Sequence, residues 1–85
     1  MNSKNRKTLS DAEKLFVDTV NASIDQLRKV IESMYDSETD KMNNLPESLQ
    51  EVTTGQYLAE AIEMLEEKID ALDTIAEEVE SSFAS

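Results

Sequence analysis

"DSETDKMNNLPESLQ", residues 36–50, joins two long stretches of helical pattern and holds the chain's only proline, Pro46. A helix running straight through Pro46 would lose a backbone hydrogen bond and crowd the preceding turn, at a cost of about 3 kcal/mol or more. At the start of a helix the same ring is favourable, because the amide it lacks would have no partner there and its φ is already set. Asn43 and Asn44 lead into it, and Leu45, Leu49 and Val52 follow at helical spacing. The stretch therefore predicts a corner with a short amphipathic helix over residues 45–51, packed across the end of two longer helices.

The flanks carry the pattern that such a corner requires. Before it, Val17, Val20, Ile24, Leu27, Ile31 and Met34 alternate by three and four, which keeps them on one stripe of a helix. After it, Leu58, Ile62, Leu65, Ile69, Leu72, Ala76, Val79 and Phe83 do the same. In "SDAE", Ser10 can cap the amide of Glu13 while Glu13 returns to the backbone of Ser10, so a helix is expected over 10–38. In "TTGQ", Thr53 and Gln56 offer a similar box for a helix over 54–82, with Gly55 in its first turn. The expected fold is all-α: an antiparallel helical hairpin forming one domain over 10–85, preceded by a flexible basic tail over 1–9. Leu27, Ile31, Leu65, Ile69 and Leu72 are the expected centre of the core.

The corner also has to be weighed as a metal loop. Asp36, Glu38, Asp40, Asn44 and Glu47 fall at positions 1, 3, 5, 9 and 12 of an EF-hand count. The count fails where geometry matters: Lys41 stands where glycine makes the sharp turn, Asn43 replaces an apolar residue, and Pro46 intrudes just before the bidentate Glu47. A solvated acidic corner is the reading that fits. On the second helix Glu63, Glu66, Glu67 and Asp70 are close in sequence, but the inward Glu and Glu-x-x-His pattern of a di-metal bundle is absent.

Composition narrows the chemistry further. The chain has 85 residues, no cysteine and no histidine, so it lacks thiolate ligands, disulfides, the commonest general base and the commonest transition-metal ligand. No Walker loop surrounds Thr53, Thr54 and Gly55. The sequence predicts a protein that is not an enzyme, with no catalytic residue, metal or cofactor. No apolar run follows Lys4, Arg6 and Lys7, and no window approaches membrane-span length, so a cytoplasmic chain without membrane contact is expected.

Assembly follows from the width of the stripes. A single core in so small a chain seldom supplies more than about 3–5 kcal/mol. Phe16 and Val30 widen the first stripe, and Ala61 and Ile75 the second, beyond what one partner helix covers. A homodimer forming a four-helix bundle through a twofold axis is the expected arrangement.

The net charge is −11, and residues 56–85 hold nine acidic groups against the single base Lys68. Within the first helix, Asp25 and Lys29 are spaced for an i,i+4 pair of roughly 0.3 kcal/mol. Such a surface repels phosphates, so no direct nucleic acid binding is expected. It suits a small acidic protein–protein interaction or structural module, with Glu63, Glu66, Glu67, Asp70, Asp73 and Glu77 as the candidate surface for a larger basic partner. The alternative is an inhibitor that mimics DNA and occupies the basic groove of a host defence or nucleic-acid enzyme. The basic residues Lys4, Arg6 and Lys7 would meet either the acidic helix of a dimer mate or a separate partner.

The segment "NLPESLQ", followed by a glycine and by "GQYLAEAIEMLEEKIDALDTIAEEVE", resembles small helical proteins of unassigned function in Firmicutes and their phages and mobile elements. The distinctive positions are Asn44, Leu45, Pro46, Glu47, Leu49 and Gln50, and the likeness covers about the second half of the chain. It implies a helical hairpin of bacterial or phage origin and carries over no catalytic residue.

Overall fold

The structure, a computed structural model, describes residues 1–50 and 52–84. Glu51, at the end of the expected short helix, and Ser85, at the end of the expected domain, lie outside them. Three helices follow one another: α1 from Ser3 to Asn43, α2 from Glu47 to Gln50 and α3 from Thr53 to Phe83. α1 and α3 pack together as an antiparallel hairpin with α2 at the corner. The result is a rod whose Cα extents are 69 × 16 × 13 Å.

α1 is longer than the sequence signals indicate at both ends. Its cap is Asn2, whose Oδ1 accepts a hydrogen bond from the backbone N–H of Asn5 at 2.8 Å. Ser10 consequently lies inside the helix and does not cap it, and the expected flexible tail is helical from Ser3 onward. The reason is local: residues 3–9 contain neither glycine nor proline, so once Asn2 satisfies an end amide nothing stops the helix from extending. At the other end α1 continues past residue 38 to Asn43, with Lys41 in the last turn complementing the carbonyl end of the helix.

The corner is built from short backbone contacts. The Asn44 N–H donates to the Asp40 carbonyl at 3.0 Å and the Leu45 N–H to that of Met42 at 3.2 Å, which closes α1. Pro46 stands immediately before α2, and its carbonyl accepts from the Leu49 N–H at 2.8 Å. The Gln50 side chain then reaches back, with Nε2 donating to the Leu45 carbonyl at 3.0 Å. α2 covers the bundle end only in part, since Leu49 and Val52 are exposed. α3 begins after Val52, with no side chain capping it, so Thr53 is its first residue and not its cap.

Gly55 explains how so tight a corner closes. It is buried, and a Cβ built on it would lie 2.7 Å from the Gln50 Cα and overlap the Gln50 carbonyl. Its φ is negative, so glycine is required for close approach of α2 to α3 and not for an unusual backbone conformation. That role was invisible in the spacing of the sequence.

The core is a single seam. Val17, Ile24 and Ile31 from α1 and Leu58, Leu65 and Leu72 from α3 are buried, which is one residue per heptad from each helix. Val20, Tyr35, Ile69 and Ala76 are partly buried against it. Two helices touch along one line, so only the residues on that line are fully enclosed. Leu27 is the exception to the expected core: it is 50 % exposed, beside the seam and not within it.

Opposing residues fix the register. Phe16 meets Phe83 edge to face with ring centroids 5.2 Å apart. Farther along, Arg28 meets Asp73 and Tyr35 meets Glu66. α3 ends opposite Phe16, so α1 runs on alone toward Ser3, and Leu9 and Leu15 on that extension are exposed.

Candidate interaction surface

The two sides of the seam are chemically different. Successive helical residues turn by about 100°, so α1 places Arg28 and Tyr35 on one side of Ile31, and Leu27, Val30 and Met34 on the other. On the first side the hairpin is closed by polar bonds. The Arg28 guanidinium pairs with the Asp73 carboxylate. The Tyr35 hydroxyl donates to Glu66 Oε1 at 3.0 Å. Both bonds join helices far apart in sequence, and they could only be found once the register was known.

These contacts leave electrostatic signatures. Arg28 is raised further above its ordinary value, chiefly by the hydrogen bond to Asp73, with desolvation acting against it and the charges of Asp73, Glu32 and Asp25 adding to the rise. The Tyr35 phenol is raised above its ordinary value of 10.0, first by the hydrogen bond to Glu66 and then by that carboxylate's charge and by desolvation; Thr39 acts in the opposite direction. A raised phenol stabilises the fold fully below the unfolded value of 10.0 and loses that contribution as pH rises through the higher folded value. Thermal melts of wild type and Tyr35→Phe should therefore differ in favour of wild type near neutrality and converge or cross above pH 10. A gap that stays constant across that range would show that the Glu66 bond does not form.

The other side of the seam is open and apolar. Phe16, Leu27, Val30, Met34, Met64 and Ile75 are each between 45 and 53 % exposed. Leu27, Val30 and Met34 of α1 and Met64 and Ala71 of α3 line a trough of about 500 Å³, floored by Ile31, Leu65 and Leu72, with Lys68 the one charged group in it. Of these, Phe16, Val30 and Ile75 were visible in the sequence as widening of the stripes. Met64 was not, because its membership depends on which side of α3 the partner helix leaves uncovered.

The acidic candidates divide into two groups. Glu66 and Asp73 are used within the hairpin, bonded to Tyr35 and Arg28. Glu63, Glu67, Asp70 and Glu77 are exposed on α3, with Glu77 bordering the seam in a shallow groove it shares with Asn21 of α1. Of the expected core residues, Ile31, Leu65 and Leu72 are buried and Ile69 is partly buried, while Leu27 belongs to the open side. The anticipated Asp25–Lys29 pair is not formed; the ion pair within α1 is Lys41 with Glu38, at 3.1 Å. Exposed pairs of this kind are worth little, so side-chain entropy readily outweighs them.

Among the described residues, no group of three or more acidic, histidine or cysteine side chains is placed to hold a metal. Asp36, Glu38 and Asp40 lie within α1, which fans their carboxylates around a helix where an EF-hand would fold them around an ion. No helix of the described residues is long and apolar enough to cross a membrane. No protein-family model matches the chain, no curated protein matches it, and no solved structure matches it.

Proposed function

We propose that this protein is a non-enzymatic interaction module, which acts by presenting the open apolar side of its hairpin to another protein surface. The observation that carries this reading is the chemical asymmetry across the seam: polar bonds close one side, while half-exposed Leu27, Val30, Met34, Met64 and Ile75 gather on the other. The net charge of −11 keeps the chain soluble, and an apolar patch as large as any a monomer ordinarily exposes is often a binding surface. Off that face, the carboxylates of Glu63, Glu67, Asp70 and Glu77 add a field that steers a further, basic protein, whose association should slow as salt rises. The mimicry reading draws less support, because Glu66 and Asp73 are occupied inside the hairpin.

The test compares wild type with Leu27→Asp as bait in affinity capture, alongside circular dichroism of both. Leu27 is half exposed, so the substitution should leave helix content intact while removing protein, including a second copy, that the wild-type face retains. If both baits retain the same set, or wild type neither self-associates nor retains anything, the reading is wrong.

A further inference from the structure

We infer that the open apolar face is covered by a second copy of this chain, with α1 of each copy lying against α3 of the other and the two corners at the same end of a four-helix bundle. The inference rests on the interaction-module reading and names its partner.

Area is the first argument. Phe16, Leu27, Val30, Met34, Met64 and Ile75, each about half exposed, offer on the order of 500 Å² of apolar surface, the apolar share of a standard interface of about 800 Å² per partner. The face runs from Phe16 to Met34 on α1 and from Met64 to Ile75 on α3, short of the corner end of the seam, so another hairpin of the same length can cover all of it. A face-to-face stack also encloses the positions that two helices leave at the edge of the seam, Leu27 among them.

Charge decides the arrangement. Along the outer margin of the open face, α1 carries the uncharged Thr19, Ser23, Gln26, Val30 and Ser37 and, toward the corner, Asp40 and Lys41, whose charges cancel. The matching margin of α3 carries Glu60, Glu67 and Glu78. Stacking α3 on the partner's α3 would bring six carboxylates together against two copies of Lys68, and like charges on adjoining margins are destabilising. Stacking α1 on the partner's α3 sets the hydroxyls and amide of one margin against the carboxylates of the other, as donors to acceptors. Lys68 lines the trough, and a lysine there can lay its apolar stem along the floor while its ammonium reaches water at the margin. For two identical hairpins this pairing requires a twofold axis along the rod, which places both corners together.

Three measurements test it. Sedimentation equilibrium of the full chain should give twice the monomer mass of 9.6 kDa; a monomer at every concentration overturns the inference, and leaves the interaction-module reading standing if the Leu27-dependent capture succeeds. Gln26→Lys with Ser37→Lys should tighten the dimer by about tenfold at low salt, and the same positions changed to Glu should weaken it by a similar factor. A weakening by lysine means that α1 faces α1, and overturns the arrangement. The chain has no cysteine, so a spin label at Ser48→Cys reports the corners alone: a separation of about 20 Å or less supports the inference, and one of about 50 Å, the distance for corners at opposite ends, refutes it.

Discussion

Leu65→Asp should unfold the hairpin, with the helical circular dichroism signal largely lost at 25 °C. Leu65 is 5 % exposed and belongs to the cluster with Ile24, Ile31 and Leu72. Truncating such a leucine alone costs about 2–5 kcal/mol. A carboxylate in its place adds the desolvation of a charge with no basic partner in that cluster. Against this stands a single core that seldom supplies more than about 3–5 kcal/mol in so small a chain. The loss therefore equals or exceeds the reserve. The informative contrast is with Leu27→Asp, half exposed on the open side, which should keep its helices and lose its partner. Equal loss of helix in both variants would mean that the seam and the open face are not distinct surfaces.

Gly55→Ala should destabilise the protein, although helix propensity alone predicts the reverse. Alanine is favoured over glycine inside a helix by about 0.8–1 kcal/mol. The added methyl would meet the backbone of Gln50, with its Cα at 2.7 Å, and backbone cannot yield by changing rotamer. Overpacking of this kind costs typically 1–3 kcal/mol. The contact should win, with a net loss of up to about 2 kcal/mol in urea unfolding. An alanine variant more stable than wild type would show that α2 does not rest on the first turn of α3.

Much of the architecture was written locally. The alternating three and four spacing from Val17 to Met34 and from Leu58 to Phe83, with Pro46 between, specifies two helices and a reversal because periodicity and proline geometry act within a few residues. The ends were less legible. Ser10 looks like a cap in "SDAE", but Asn2 takes that role, since any Ser, Asn or Asp upstream of a breaker-free run can claim it. Val52 precedes α3 with no side-chain cap because the approach of α2 toward Gly55 sets where that helix begins.

By itself the sequence determined a helical, strongly acidic chain with a wide apolar stripe on each helix, because composition and periodicity are properties of neighbouring residues. Only the tertiary structure decided that Arg28 reaches Asp73 and Tyr35 reaches Glu66, and hence that the stripe's surplus falls to one side as Leu27, Val30, Met34 and Met64. The register and rotation of two packed helices are set by how side chains from distant segments interlock, and no window along one helix contains that information.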